Sequence, residues 1–369
     1  MRGQSDQQSG IYTFLSPEQK VPKGHPLRAI KEHADAVLKE MSPVFNEMYS
    51  KMGRPSIPPE VLLKAQLLMA FFSVRSDRLF CEMLDYNILF RWFLDMGLEE
   101  ASLDATTFSK NRERLLKHDV AQKFFDAVVR QAKKRGLLSD EHFTVDGTLV
   151  EAWASMKSFR PKGEDEEDRP RTDDDPGNPT VDFRGEKRSN DTHESTTDPQ
   201  ARLMRKAKGK EAKLSYGAHA LMENRNGLLV DLQVEVATGK AERETAIELL
   251  KRRRRKGAEP KTVGGDKGFD TGDFVDEARE MGVTPHVAAN TARRGGSAID
   301  GRTTRHGGYL VSQRIRKRVE EIFGWLKTIG GLRRTRFKGR KRTQMQAHLA
   351  GAAYNLLRIA KLTAVMAAA

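Results

Sequence analysis

The sequence predicts an α/β protein in two parts: an all-helical N-terminal domain followed by a mixed sheet with helices. Three observations support this. Residues 26–136 carry apolar side chains at helical spacing almost throughout. After Gly136 the pattern changes to short alternating or β-rich runs. Two helical stretches then fall between the last three of those runs, the order expected of a mixed sheet covered by helices.

Residues 1–25 form a polar arm. In the helical domain, "PPEVLLKAQLLMAFFSV" opens on Pro58 and Pro59, which a first helical turn tolerates, and is then apolar around most of its circumference, as in a buried helix. "SDRLFCEMLDYNILFRWFLDMG" reads as one helix capped by Ser76 or Asp77 and ended by Gly97. "LDATTFSKNRERLL" is a basic amphipathic helix with Asp104 and Thr106 as candidate caps, and "DVAQKFFDAVVRQAKKRG" stops at Gly136. In the second domain, residues 137–330, strands are expected in "HFTVDGTLVEAW", "KLSYGAHALMEN", "GLLVDLQVEV", "KTVGGDKGFD" and "GVTPHVAAN". Helices are expected in "GKAERETAIELLKRRRRKG" and "TGDFVDEAREMG". Residues 157–210 have no apolar periodicity and form a polar insert, expected to be at least half disordered. Its acidic runs "EDEED" and "DDD" read as solvated rather than ligating. Residues 331–369 make a basic segment and a terminal helix.

The single cysteine, Cys81, excludes an internal disulfide and a thiolate metal cluster, and its apolar setting marks it as core packing. No apolar run is long enough for a membrane span and the N-terminus lacks a signal peptide, so no membrane partner and a cytoplasmic, nucleoid-associated location are expected. The net charge is +14, and residues 301–342 hold 14 Lys or Arg against 2 acids. That tract also contains Val311, Ile315, Val319, Ile322, Phe323, Trp325 and Leu326, too apolar for a disordered tail. A polyanion, nucleic acid, is its expected partner.

Three carboxylates stand out. Asp146 lies inside an apolar strand, where a charge is costly unless paired or metal-bound; a turn residue before Gly147 is the alternative. Asp266 follows a β-rich run, at the carboxyl end of a strand where open α/β sheets place ligand groups; turn capping is the alternative. Glu320 falls in a helix whose Ile315, Val319, Ile322 and Leu326 share one stripe, while Gln313, Arg316, Glu320 and Lys327 line up on another face. Glu321 points elsewhere. An Arg316–Glu320 surface ion pair is the simplest reading of Glu320 alone. Taken together, two sheet aspartates and a helix glutamate beside a basic surface fit a two-metal site acting on a phosphodiester.

These residues resemble the bacterial insertion-sequence transposases of the DDE type, in particular the InsH-like group of insertion-sequence family five. "GRPSIPPEVLLKAQLLMAFFSVRSDRLFCEMLDYNILFRWF" and "TTFSKNRERLL" are similar to that group's helical domain. "FTVDGTLVEAWAS", "GGDKGFD" and "RIRKRVEEIFGWLKTIGGLRRTRF", with the stretch around residues 188–231, are similar to its catalytic domain. The resemblance implies an RNase H-like core with Asp146, Asp266 and Glu320 as metal-binding triad. It implies two Mg²⁺ ions that Mn²⁺ can replace, and transposition by hydrolysis at the element's terminal inverted repeats followed by strand transfer into target DNA. The family signature of Tyr, Arg, Glu and Lys is matched by Arg316, Glu320 and Lys327 at the right spacing, with Gln313 in the tyrosine place. Arg314, Arg316, Arg318, Lys327, Arg333, Arg334, Arg336 and Lys338 are the expected DNA contacts. The partners are double-stranded DNA and a second copy of the chain, in a homodimer or larger synaptic assembly. A nuclease that does not join strands and a non-catalytic DNA-binding regulator are the rival readings.

Overall fold

The computed structural model describes residues 16–50, 52–53, 56–163, 182–183, 186–206 and 209–368. The acidic runs of the insert lie outside these residues. The main sheet has six strands: β1 (His142–Glu151), β2 (Arg202–Arg205), β3 (Ala212–Glu223), β4 (Leu229–Val236), β5 (Thr262–Gly265) and β6 (Thr284–Val287). Their order is β6-β5-β1-β3, with β2 and β4 sharing the far edge of β3, β2 along Ala212–Ser215 and β4 along Tyr216–Met222. β3 runs antiparallel to both β1 and β4; β5 and β6 run parallel to β1, and each is reached through a crossover helix, Ala241–Arg255 or Gly272–Glu280. Three antiparallel strands followed by two parallel crossovers is the RNase H-like arrangement. β3, flanked on both sides, is buried along nearly its whole length, as its continuous apolar run requires.

The five expected strands and both crossover helices are present. The insert differs from expectation, because Arg202–Arg205 joins the main sheet and Phe159–Pro161 pairs with His193–Ser195. Its ordering comes from polar side chains that apolar periodicity cannot register. Tyr216 Oη donates to Asp198 Oδ1 (2.6 Å), Asn190 Nδ2 donates to Leu203 O (3.0 Å), and Ser195 Oγ lies 2.7 Å from Ser158 Oγ.

The helical domain comprises Leu27–Glu40, Ser42–Met48, Pro59–Phe71, Asp77–Tyr86, Ile88–Phe93, Ala105–Lys117 and Val120–Lys134. The helix expected to run from Ser76 to Gly97 is two helices. Asn87 breaks it by leaving the helical backbone and accepting the Phe90 N–H with its side chain (3.1 Å), which starts a new helix. Cys81 sits in the core, and burial first, then the carboxylates of Asp77, Asp104 and Asp85, push its thiol up to about 11. Native protein at pH 8 is therefore expected to resist iodoacetamide while urea-unfolded protein is alkylated, read by mass spectrometry. Equal labelling of both states would contradict this packing.

The terminal helix, Arg340–Ala368, is a strut and not an appendage. It packs against Val120–Lys134, β4, Pro59–Phe71 and Leu27–Glu40, so one helix joins the core of the helical domain to the sheet. Gly351 permits the closest approach, since a methyl group there would come 3.0 Å from both Leu229 and Phe125. A polar clamp adds to it. Arg336 donates to Asp77 Oδ1 (2.7 Å), Gln66 Oε1 (3.0 Å) and Arg75 O (3.2 Å), and Arg112 also pairs with Asp77. Both guanidiniums lie 4.7 Å from the centre of the Phe337 ring.

Candidate active site

β1 is the central strand that carries Asp146. Its parallel register with β5 runs His142↔Thr262, Phe143↔Val263 and Thr144↔Gly264. Continued past the end of β5, the same offset sets Asp266 level with Asp146 on the neighbouring strand line. Adjacent strands lie about 4.8 Å apart, so two aspartates distant in sequence become neighbours. Beyond Gly265, β5 no longer covers this edge of β1, and Asp146, Gly147, Thr148 and Leu149 are all half-exposed in the middle of a central strand.

The third element lies across this end of the sheet. The helix Gly307–Ile315 docks on β6, where Tyr309 Oη donates to Val287 O (3.1 Å), Gln313 Nε2 donates to His286 O (2.5 Å) and Ser312 Oγ lies 2.7 Å from His286 Nδ1. It is not one continuous helix through Glu320: residues Arg316–Arg318 tighten to a 3₁₀ turn before a second helix, Val319–Thr328, begins. At the break the Arg316 Cβ packs over Gly264, 3.6 Å from where a Gly264 Cβ would stand. Val319, Ile322 and Leu326 are buried as the apolar stripe requires, while Ile315, beyond the break, is only half-buried.

The Arg316–Glu320 ion pair, the alternative reading of Glu320 taken alone, is not made. Arg316 Nε instead donates to Gln313 Oε1 (3.0 Å), so Gln313 ties the guanidinium to strand β6. The residue that departs from the family signature thus has a defined position here. Glu320 and Glu321 part company: Glu320 adds its charge to the field at Asp146, and Glu321 to that at Tyr354.

The electrostatics identify the cluster. Burial pushes the Asp146 carboxyl up to about 7, helped by the carboxylates of Asp266, Glu242 and Glu320, against a hydrogen bond from the Gly147 N–H to Asp146 Oδ1 (2.8 Å). Asp266 caps the turn after β5, its Oδ1 accepting the Gly268 N–H (2.7 Å), which is the capping role the sequence offered as the alternative. Glu242 had no place in the sequence reading. In the first turn of its helix beside Glu244 it looks like an ordinary acid favoured by the helix dipole, and only the fold brings it to Asp146.

The donors gathered here are carboxylate oxygens, the set that hard divalent cations take, and the raised Asp146 marks a place where added positive charge is favourable. Among the described residues, no three His, Cys, Asp or Glu side chains converge tightly enough to cage a metal as they stand.

The basic residues divide. Arg314, Arg318, Arg333, Arg334 and Lys338 are exposed. Lys327 is half-buried, its ammonium held below the usual lysine range by burial and by the nearby charges of Lys206 and Arg333, with Glu151 opposing. Arg334 lies over the Trp153 ring (5.1 Å). Arg336 does not belong with them: its guanidinium is committed to Asp77, Gln66 and Arg75, a contact that no local pattern announces.

A sheet of this strand order, with helices covering it, is an RNase H-like fold. A "Transposase domain (DUF772)" model matches residues 15–114 and a "Transposase DDE domain" model residues 183–356. Together they take in most of the chain, which is a DDE-type insertion-sequence transposase, an enzyme of DNA transposition. Asp266 and Glu320 lie inside the second match and Asp146 precedes it. Among solved structures, the chain is similar to a piggyBac transposase synaptic complex with hairpin DNA at 11% identity and TM-score 0.44, covering 91% of this chain and 75% of that one. It is similar to a pre-cleavage Mos1 transpososome at 9% identity and TM-score 0.21, covering 85% and 82%. These superpositions are loose, and the fold assignment rests on the strand order. Among the described residues no helix is long and apolar enough to cross a membrane.

Proposed function

We propose that Asp146, Asp266 and Glu320 are the catalytic carboxylates of this transposase and that they would hold two Mg²⁺ ions, for which Mn²⁺ can substitute. The observation that carries this is the register of β1 and β5, which brings the two aspartates level, under a helix whose first turn presents Glu320 to the same field. When bound, the ions supply an activated water or 3′-hydroxyl and stabilise the leaving oxygen of an in-line transfer.

The chain's own groups hold and aim the DNA. Arg316, oriented by Gln313, faces the phosphate next to the scissile bond, and Lys327 with Arg333 holds the strand beyond it. Arg314, Arg318, Arg334 and Lys338 neutralise phosphates farther out. The substrate is double-stranded DNA bearing the element's terminal inverted repeats, cut to free 3′-hydroxyls that then attack target DNA. The helical domain reads the repeats. Two ends must meet, so the working unit is a homodimer or a larger synaptic assembly. The spacing of Arg316, Glu320 and Lys327 supports the InsH-like group of insertion-sequence family five, in a member where glutamine replaces the signature tyrosine.

Supercoiled plasmid carrying both element ends, incubated with the protein and Mg²⁺, is expected to yield cleaved ends and joined strand-transfer products on a denaturing gel. Cleavage without joined products would leave a nuclease. Binding without cleavage would leave a DNA-binding regulator.

A further inference from the structure

The turn after β5 holds a second aspartate, Asp270, and its carboxylate is bonded to a single loop. Asp270 is 1% exposed. Its Oδ2 accepts the Asn290 N–H (2.6 Å) and the Ser297 hydroxyl (2.7 Å), its Oδ1 accepts the Ala298 N–H (2.8 Å), and the Ile299 N–H adds a further bond. Burial acts to raise this carboxyl, yet the bonds from Asn290, Ser297, Ala298 and Ile299 hold it below the usual carboxylate range, so it is an ion inside the fold. A buried charge is costly unless its oxygens are satisfied, and here the donors come from both ends of the segment 290–299. Asp270 therefore clasps that segment at its base.

The segment so clasped is exposed from Thr291 to Gly296, and apolar packing does not fix it. Its tip turns through Gly295 and Gly296, both at positive φ (93° and 78°). Arg293 is tied back by one arm, its Nη1 donating to the Asp270 carbonyl (2.7 Å). Arg294 is exposed and makes no ion pair among the described residues. Asp300, the acid of the segment 288–300, is matched by Arg302 (2.8 Å) and Arg279 (3.7 Å). The loop also has a fixed place. The Ala288 N–H donates to Gly265 O (3.0 Å), so the chain leaves the sheet beside the turn that carries Asp266. It stands on the β5–β6 side of Asp146, whereas Lys327 and Arg333 neighbour Glu151 at the far end of β1.

We propose that Arg293 and Arg294 contact the phosphate backbone of the transposase's DNA from this second side, and that Asp270 is their positioning residue. Guanidiniums match phosphate oxygens in geometry, and a loop ordered in advance loses less conformational freedom when it binds. The loop and the tract 313–338 then grip the DNA on two sides of the candidate site. The proposal rests on DNA as the substrate and on none of the roles given to Asp146, Asp266 and Glu320. Asp270 makes it sharp, because two effects of removing its charge have opposite signs. Loss of a negative charge near a polyanion raises affinity, whereas release of the arginine loop lowers it.

The test measures binding of the full chain, in chelator, to a fluorescein-labelled duplex of random sequence, by anisotropy across a salt series. The double variant Arg293→Ala with Arg294→Ala is expected to bind on the order of tenfold more weakly at low salt, with a log–log salt slope shallower by roughly one to two. Asp270→Asn keeps the shape but turns an amide N–H against the loop's donors. It is expected to weaken binding toward the level of the double variant despite the lost negative charge, and to add nothing when combined with it. Wild-type affinity and slope in the double variant overturn the proposal. Affinity that rises or stays level in Asp270→Asn overturns the role of Asp270, and so does an equal loss in the double-variant background, which marks a general structural effect. Should Asp270→Asn not fold, Ser297→Ala removes one bond of the clasp; a smaller loss that vanishes in the double-variant background is expected, and wild-type affinity there overturns the positioning role. Arg333→Ala is the control: weaker binding in it beside wild-type affinity in the double variant leaves the tract 313–338 standing and overturns this proposal alone.

Discussion

Asp146→Asn is expected to lower both end cleavage and strand transfer by on the order of 10³-fold or more, while affinity for element-end DNA stays level or rises. The carboxylate stands at the centre of the cluster, level with Asp266 and within the fields of Glu242 and Glu320. Asparagine keeps the shape and the Gly147 hydrogen bond but removes the charge that a cation needs. DNA affinity moves the other way because one fewer negative charge faces the phosphates. Glu320→Gln should behave like Asp146→Asn. Glu321→Gln should leave catalysis within about twofold, since an exposed substitution away from the site changes little, and Glu321 lies beside Tyr354. Single-turnover cleavage of a labelled element end gives the rate, and a mobility-shift titration gives the affinity. Cleavage that survives Asp146→Asn, or that falls with Glu321 and not with Glu320, would remove the site assignment.

The second large effect is on stability. Asp77→Ala is expected to cost about 3–5 kcal/mol, because it leaves the guanidiniums of Arg112 and Arg336 without their shared carboxylate in a part-buried site. Side-chain exposure there is 15% for Asp77, 14% for Arg112 and 13% for Arg336, too low for water to take over the lost contact. Equilibrium urea unfolding measures the loss, and a cost below about 1 kcal/mol, the level of a surface pair, would show that the clamp does not hold the domains together. The same region steadies the helix Val319–Thr328. Ser73 Oγ donates to Ile329 O (3.1 Å), Arg75 donates to Arg334 O (2.7 Å), and Phe71 meets Trp325 edge-on at 6.5 Å. The helix that carries Glu320 is therefore braced at its far end by the helical domain.

Much of this was legible in the chain. Alternating and helical periodicity located the strands, the crossover helices and most helices of the first domain, because burial of one face writes its period into the sequence. The separation of Glu320 from Glu321 was legible too, since the apolar stripe fixes which residues of a helix face outward. Where a local contact competed with the period, the period misled. Asn87 broke a helix by capping the next one, and Arg316–Arg318 tightened into a 3₁₀ turn where Arg316 packs over Gly264. Arg336 read as one more cation in a basic tract, whereas its partner Asp77 lies on another domain.

By itself, then, the sequence determined the class of fold, the three acids worth placing together and the basic surface beside them, because residue type and periodicity are local properties. Tertiary structure alone decided that Asp146 and Asp266 come close, that Gln313 holds Arg316, that the terminal helix is the strut between domains, and that the Glu242 carboxylate lies over Gly147. Each of these depends on strand register and on what packs across a sheet, distances that pairs far apart in the chain acquire only when it folds.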